Sequence, residues 1–147
     1  MTQNSQPQIQ QLVIHTDGGA RGNPGPAATG FIITNQDHQT LHQAGRVIGS
    51  TTNNVAEYQA VIDALTWIQD HPTFQHLKVN FYLDSNLVVN QLNGKFKVTK
   101  PHLRELLLKV RGLETSLSLS TTYTYVPREQ NSEADALVNL ALDQQLL

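Results

Sequence analysis

Apolar and polar positions in the first fifty residues predict three strands. After Gln11 the sequence changes to LVIHTDGG, a run rich in β-branched residues that glycines end. FIITN at 31 to 35 and a weaker run near 40 to 48 have the same character. We interpret the two later runs as antiparallel neighbours of the first, so the chain should open with a meander.

The apolar positions that follow have the spacing of a helix. Residues 54 to 70 carry them three and four positions apart, at Val55, Tyr58, Val61, Ile62, Leu65 and Ile68. Pro72 follows the expected helix end near His71. This segment is the clearest helix in the sequence.

The remaining chain continues as a strand, two helices, a strand and a helix. The predicted elements are a strand at 78 to 84, a short helix at 85 to 92, a helix from Leu103 to Leu113 with Pro101 at its start and an end near Gly112, a strand at 121 to 126 and a helix at 132 to 142. Asp84 therefore lies at a junction of strand and helix. The order βββαβααβα predicts an α/β fold with a five-stranded mixed sheet, whose first three strands are antiparallel and whose later strands enter through helical crossovers.

Length and composition allow one domain with one hydrophobic core. The chain has 147 residues and a formal net charge of −2, so its overall charge does not predict a nucleic-acid partner. The Gln-rich residues 1 to 10 are predicted to be a disordered leader, and residues 11 to 147 a single domain. The absence of cysteine excludes disulfides, thiol catalysis and thiolate zinc sites. Because no apolar run reaches about 18 residues and no signal peptide is evident, we expect a cytoplasmic protein without membrane contact.

Asp17 and Asp84 are unexpected acids in a chain with so few charges. Asp17 lies inside LVIHTDGG, where aspartate has poor β propensity, and Asp84 ends the strand VNFYLD. Each has a structural alternative. Asp17 could form a turn before Gly18, and Asp84 could be the N-cap of the next helix.

Glu57 and Asp135 each begin a predicted helix. Asn54 to Glu57 and Ser132 to Asp135 have capping-box spacing, so capping is the alternative for both acids. Each acid nevertheless shares a helical stripe with apolar residues, Glu57 with Val61, Leu65 and Ile68, and Asp135 with Val138 and Leu142. Both acids therefore lean towards the face that should pack on the sheet.

These four acids can meet only if their strand and helix ends share one edge of the sheet. Clustered carboxylates without basic partners repel each other and raise each other's pKa, and a divalent cation relieves the repulsion. Oxygen ligands without cysteine suit Mg²⁺ or Mn²⁺ rather than zinc. A pair of such ions about 4 Å apart is the usual device for cutting phosphodiesters.

The glycine-rich stretch DGGARGNPGPAATG matches neither common phosphate-binding template. It contains no GxxxxGK[ST] and no GxGxxG that opens a helix, which argues against nucleotide binding of those kinds. Its flexible backbone could instead approach a sugar closely, and Asn23 could reach a groove edge. Thr52, Asn53 and Asn54 form a second uncharged polar cluster.

Together these motifs resemble the type 1 ribonuclease H family from about Val13 to Leu142. The matching segments are HTDGGARGNPGPAATG at 15 to 30, TTNNVAEYQA at 51 to 60, YLDSNLVV at 82 to 89 and VPREQNSEADALVN at 126 to 139. The resemblance implies the ribonuclease H fold and cleavage of the RNA strand of an RNA–DNA hybrid, which leaves 5′-phosphate and 3′-hydroxyl ends. The four metal-binding acids of the family would fall on Asp17, Glu57, Asp84 and Asp135.

The resemblance also implies a role for each acid at two Mg²⁺ ions, for which Mn²⁺ could substitute. Asp17 would bridge both ions, and Asp135 would serve the ion that activates the attacking water. Glu57 and Asp84 would hold the ion at the leaving 3′-oxygen. Glu57 and backbone groups near Ala20 and Gly22 would bind ribose 2′-hydroxyls.

Further family positions imply contacts with the substrate. Asn23, Asn53 and Asn54 would touch bases in the shallow minor groove, so cleavage should tolerate many sequences. Thr52 and Asn131 would form a pocket for a phosphate of the DNA strand. Asn86 would make an additional contact.

The chain departs from many family members in two places. The loop before Asp135 lacks the mobile histidine that helps product leave, and Arg128 or Glu129 occupies it. Because arginine does not deprotonate near neutrality, Arg128 would act electrostatically. The basic helix that often follows the DS motif is also missing. Both departures resemble a compact archaeal-like and bacterial subgroup, some of whose members also cut double-stranded RNA.

A basic tract between residues 95 and 111 is a candidate substrate handle. It contains Lys95, Lys97, Lys100, Arg104, Lys109 and Arg111, with Glu105 as its sole acid. The alternative is a solvated helix face.

Two other functions compete with the nuclease interpretation. A non-catalytic hybrid-binding module should have lost at least one acid. A transposase or integrase core is disfavoured by the short chain and by the NNxAE and NSEAD motifs. No obligate protein partner is evident, and we expect a monomer.

Overall fold

The computed structural model describes residues 8–145 and contains one five-stranded sheet with the strand order β3-β2-β1-β4-β5. The strands are β1 (Gln11–Ala20), β2 (Gly25–Asn35), β3 (Thr40–Thr51), β4 (Lys78–Leu83) and β5 (Ser120–Tyr125). The first three strands pair antiparallel, whereas β4 is parallel to both β1 and β5. The predicted mixed sheet is thereby confirmed.

Four α-helices connect or follow these strands in the predicted order. They are α1 (Asn53–Gln69), α2 (Asn86–Leu92), α3 (Pro101–Ser116) and α4 (Ser132–Gln145). Single 3₁₀ turns at Pro72–Phe74 and Arg128–Gln130 precede β4 and α4. The order βββαβααβα is therefore confirmed.

Two elements are longer than the sequence pattern predicts. Strand β2 begins at Gly25 rather than near Phe31, because its small residues allow α4 to pack closely over it. A Cβ atom at Gly30 would lie 2.6 Å from the carbonyl oxygen of Ala134. Helix α3 continues past Gly112 to Ser116, which brings Leu117 into the core at 3% exposure.

The hydrophobic core lies between the sheet and the helices α1 and α3. Leu12 and Ile14 of β1 pack with Val61, Leu65 and Ile68 of α1, and all five are fully buried. Helix α4 covers the opposite face over β1, β2 and β3, where Val138 and Leu142 pack on Ala28. The apolar stripes predicted for α1 and α4 are therefore the faces that contact the sheet.

Residues 1–7 of the predicted leader lie outside the described residues. The last three leader positions have contacts with the domain. Ile9 packs against the core, and the carbonyl oxygen of Gln8 accepts a hydrogen bond of 2.8 Å from Gln36 Nε2. The apolar side chain of Ile9 attaches this segment to the core, so the contacts of the domain begin before Gln11. Among residues 8–145, no helix combines the length and apolarity needed to cross a membrane.

Candidate active site

Three of the predicted acids meet beside the central strand. Asp17 comes from β1, Glu57 from the first turns of α1, and Asp84 directly follows β4. One carboxylate oxygen from each lies within 4.8 Å of the others. Because β1 and β4 are parallel neighbours, their carboxyl ends bring Asp17 and Asp84 to the same edge of the sheet.

Glu57 reaches this cluster because α1 passes unusually close to β1. A Cβ atom at Gly18 would lie 2.1 Å from the carbonyl oxygen of Ala56, so only glycine fits there. The N–H of Gly18 donates a hydrogen bond of 3.1 Å to Glu57 Oε1. Glu57 is 5% exposed, and this bond fixes one of its two oxygens.

Asp135 lies at the border of the same cavity, which has a volume of about 540 Å³. Its Oδ2 accepts a hydrogen bond of 3.3 Å from Asn139 Nδ2, and Arg128 Nη2 lies 3.7 Å from its Oδ1. Arg128 lines the cavity too, at the position without the family histidine. The structure thus gathers all four predicted acids, three in contact range and the fourth beside them.

Burial and mutual repulsion make Asp17, Glu57 and Asp84 hard to ionise. Burial, followed by the charges of Asp84 and Asp135, raises the pKa of Asp17 to about 7. Burial also raises the pKa of Glu57 well above its ordinary value, with a further contribution from Asp17. The pKa of Asp84 is raised by burial, although hydrogen bonding with Asn131 and Asp17, and then the charge of Arg128, oppose the shift.

The donor atoms at this place fit a divalent cation. Glu57 Oε2 is buried and has no hydrogen-bond partner among residues 8–145. It belongs to a group of three carboxylates, which are hard ligands, and a cation would remove the repulsion that raises their pKa values. The cluster could therefore hold a metal ion.

Helix capping does not account for Glu57 or Asp84. The N-cap of α1 is Thr52, whose hydroxyl accepts from the N–H of Val55, and Glu57 lies beyond the first turn. The N-cap of α2 is Ser85, whose hydroxyl accepts from the N–H of Val88. The capping alternatives for these two acids are therefore wrong.

The glycine-rich turn and the start of α1 are joined through two asparagines. The N–H of Ala20 donates a hydrogen bond of 2.8 Å to Asn53 Oδ1, and the N–H of Asn53 donates one of 2.9 Å to Asn23 Oδ1. Because a backbone N–H can only donate, the side-chain oxygen of each asparagine must face it. Both Nδ2 groups therefore remain as donors, and Asn54 lines the cavity beside them.

Asn131 does not line a phosphate pocket with Thr52, and this prediction is corrected. Asn131 is 1% exposed, and its Nδ2 donates a hydrogen bond of 2.8 Å to the carbonyl oxygen of Thr16. The residue lies directly before α4, where that helix packs on β1. It therefore supports the strand that carries Asp17, whereas Thr52 keeps a half-buried position at the start of α1.

The remaining predicted substrate residues lie outside the acid cavity. Lys95, Lys97 and Lys100 are exposed in the segment between α2 and α3. Asn86 begins α2, and its Oδ1 accepts a hydrogen bond of 3.1 Å from Asn90 Nδ2. Of the remaining tract residues, Arg111 pairs with Glu114, and Arg104 donates to backbone carbonyls at 98 and 99. Lys109 on α3 is exposed too, so the four lysines are the part of the basic tract available to a partner.

Arg21 and Asn139 are cavity residues that the sequence interpretation missed. Asn139 follows Asp135 by one helical turn, which is a detectable signal because residues four apart in a helix face each other. Arg21 lies in the glycine-rich turn, far from Asn139 in sequence, and no periodicity relates the two.

The sheet order, the helices on both faces and the carboxylates beside β1 define a ribonuclease H-like domain. The model of a family described as reverse transcriptase-like matches residues 15–141. The chain belongs to this family, as a ribonuclease H domain of type 1. The resemblance in its motifs is thereby confirmed.

Solved structures and curated relatives agree on this family. A ribonuclease H1 isolated from compost by a metagenomic approach is 42% identical, has a TM-score of 0.90, and covers 95% of this chain and 100% of its own. The same protein in complex with an RNA/DNA hybrid has a TM-score of 0.89 at 42% identity, over 92% of this chain and 99% of its own. Ribonuclease HI of Halobacterium salinarum is 42% identical over 127 residues, which are 86% of this chain and 62% of that protein.

Some relatives are much longer than this chain. A bifunctional protein of Mycobacterium tuberculosis is 40% identical over 134 residues, which are 90% of this chain but 36% of that protein. The chain thus spans less than two thirds of the length of this relative and of the Halobacterium protein.

Proposed function

We propose that this protein is an endonuclease that hydrolyses the RNA strand of RNA–DNA hybrids to 5′-phosphate and 3′-hydroxyl ends. The observation that carries the proposal is the group of three carboxylates whose ligand atoms lie within 4.8 Å of one another. The related protein with a bound RNA/DNA hybrid supports the choice of substrate. The presence of all four acids argues against a non-catalytic hybrid-binding module.

The four acids would hold two Mg²⁺ ions, with Mn²⁺ as a substitute. Bound cations supply neutralisation of the phosphate and activation of a water. Asp17 lies within 4.8 Å of Glu57 and Asp84 and also interacts with Asp135, so it neighbours all three other acids, which suits a ligand shared by two ions. Gly18 donates to Glu57 Oε1, so the buried Oε2, which has no hydrogen-bond partner among residues 8–145, would be the oxygen left for a cation.

Substrate bases would be contacted by amide donors. The Nδ2 groups of Asn23 and Asn53 are free to donate because their Oδ1 atoms accept backbone hydrogen bonds. The minor groove presents acceptors on every base pair, so such donors discriminate weakly between sequences. Thr52 at the N-terminus of α1 would contact a phosphate, since that helix end carries partial positive charge.

Three exposed lysines between α2 and α3 would grip the hybrid outside the cleavage site. Lys95, Lys97 and Lys100 lie in the segment between α2 and α3, which follows the helix that begins beside Asp84. Contacts of this kind bind phosphates without reading sequence. Double-stranded RNA has a geometry similar to that of the hybrid, so we also propose that the protein cleaves it as a side activity. We further propose that the protein is a monomer.

A cleavage assay tests the proposed function. Labelled RNA–DNA hybrid, double-stranded RNA and double-stranded DNA are each incubated with the protein in Mg²⁺, Mn²⁺ or EDTA, and the product ends are determined. We expect cut RNA in the hybrid, intact DNA, and no cleavage in EDTA. Asp17→Asn should abolish cleavage, whereas Asp37→Asn, in the exposed turn after β2, should leave it unchanged. A hybrid that is bound but not cut would instead identify a binding module.

A further inference from the structure

Arg21 and Asn139 form a hydrogen-bonded chain that ends at the carboxylate of Asp135. Asn139 Nδ2 donates to Asp135 Oδ2 over 3.3 Å and to the carbonyl oxygen of Asp135 over 3.1 Å. Arg21 Nη2 in turn donates to Asn139 Oδ1 over 3.4 Å and to the carbonyl oxygen of Asn139 over 3.5 Å. The contacts join the glycine-rich turn to the helix that carries the fourth acid.

The orientation of the Asn139 amide follows from this chain. A guanidinium has donors and no acceptor, so the oxygen of the amide must face Arg21 and its nitrogen must face Asp135. The side chain of Arg21 forms an ion pair of 2.7 Å with Asp143. The backbone N–H of Arg21 donates a hydrogen bond of 2.8 Å to the carbonyl oxygen of Pro26. Loss of Arg21 would therefore leave the amide held through its nitrogen alone.

The two oxygens of Asp135 have different neighbours as a result. Oδ2 accepts from Asn139, while Oδ1 faces Arg128 at 3.7 Å, and both Asn139 and Arg128 line the acid cavity. We propose that Asn139, oriented by Arg21, is a positioning residue that fixes the direction in which Asp135 presents its carboxylate to the cation site. Its effect on catalysis rests on the proposed nuclease function, but its effect on cation binding does not.

Without the Asn139 amide, Asp135 would rotate more freely, because it is less buried than Asp17 or Glu57. Ordering a free carboxylate costs conformational entropy each time a cation binds. Hydrogen bonds to carboxylate ligands commonly change cation affinity by about tenfold or more when they are removed. Since Asn139 is exposed, we expect an effect at or below the lower end of this range.

Titration calorimetry with Mn²⁺ on the full chain, without nucleic acid, tests the proposal. Asn139→Ala should weaken binding about three- to tenfold. Asn139→Gln should retain most of the affinity, because glutamine and aspartate four residues apart in a helix also form hydrogen bonds. The matched control is Gln144→Ala, an exposed position of the same helix, which should bind as the wild type does.

A double-mutant cycle tests the role of Arg21. Arg21→Ala also removes a positive charge near the acids, so the informative quantity is the effect of Asn139→Ala in each background. If Arg21 acts through Asn139, the loss should be smaller in Arg21→Ala than in the wild type. Equal losses in both backgrounds would overturn the role of Arg21.

Wild-type Mn²⁺ affinity in a folded Asn139→Ala protein would overturn the proposal as a whole. Thermal melting verifies that each variant is folded. If Asn139→Ala weakens cation binding while the wild type cuts no hybrid, positioning stands and the nuclease function fails. If the wild type cuts hybrid and Asn139→Ala binds Mn²⁺ normally, the nuclease function stands and the positioning role of Asn139 fails.

Discussion

The backbone N–H of Gly18 donates to Glu57 Oε1 over 3.1 Å, and this bond connects β1 to α1 beside the acid cluster. The same glycine permits the approach of the two elements, because a Cβ atom there would meet the carbonyl oxygen of Ala56 at 2.1 Å. One residue thus sets both the packing of α1 and the direction of an acid. Stability and cation binding should be affected together when Gly18 is changed.

We expect Gly18→Ala to destabilise the protein by about 1 to 3 kcal/mol or more, since rigid backbone has to move. It should also lower cleavage of hybrid strongly, because the shift of α1 carries Glu57 away from Asp17. Gly112→Ala is the matched control. Gly112 lies inside α3, and a Cβ atom at this position would meet no atom of the described residues within 4 Å beyond the neighbouring helix backbone. Alanine should therefore stabilise the helix by about 0.5 to 1 kcal/mol. Denaturant unfolding of both variants measures these changes, and an unaffected Gly18→Ala would contradict the close approach.

Arg128 should contribute through its charge alone. It lies 3.7 Å from Asp135 with a side chain that is 77% exposed, so solvent weakens the interaction. We expect Arg128→Ala to lower kcat/KM about two- to fivefold, and Arg128→Lys to keep most activity. The basic limb of the pH profile should not move, because arginine does not lose its proton. A shifted basic limb in Arg128→Ala would show that this residue takes part in proton transfer.

The exposed lysines provide a test of substrate grip that leaves the acids intact. Changing Lys95, Lys97 and Lys100 to glutamine should raise KM with little change in kcat. If each contacts one phosphate, the slope of log binding constant against log salt should fall by about 3 in magnitude. Lys78→Gln, on β4, is the control. An unchanged slope in the triple variant would mean that these lysines are solvated and do not contact the substrate.

The sequence predicts the elements and the four acids because both depend on local patterns. Strand and helix periodicity identify the order of elements, and acids at strand ends or on apolar stripes stand out. Asn131 illustrates what such patterns cannot predict. Whether an asparagine before a helix faces solvent or the carbonyl oxygen of Thr16 depends on how α4 packs on β1. The contact of Arg21 with Asn139 depends on the same packing.

Repulsion among the acids should make the cation-free protein more stable when one charge is removed. At pH 8, above the pKa of about 7 of Asp17, its carboxylate is charged close to Asp84 and Asp135, whose charges raise that pKa. We expect Asp17→Asn to raise Tm in EDTA by several degrees, since about 1 kcal/mol corresponds to about 4 °C in a domain of this size. Added Mg²⁺ should stabilise the wild type by mass action and the variant less. A variant that melts below the wild type in EDTA would mean that hydrogen bonds hold Asp17 in place.

The stability of the cation-free protein should also fall as pH rises from about 4 to about 7. In the unfolded chain Asp17 has an ordinary pKa near about 3.9, whereas burial and neighbouring charges raise the folded value to about 7. Between these two pKa values the folded state keeps a proton on Asp17 that the unfolded chain has lost. The contribution of this proton to stability is fully present below the lower pKa and is lost as the pH rises through the higher one. One such proton contributes at most about 1.4 kcal/mol per pH unit. Unfolding in EDTA at several pH values measures the slope, which Asp17→Asn should make shallower, and equal slopes for the two proteins would show that Asp17 titrates alike in both states.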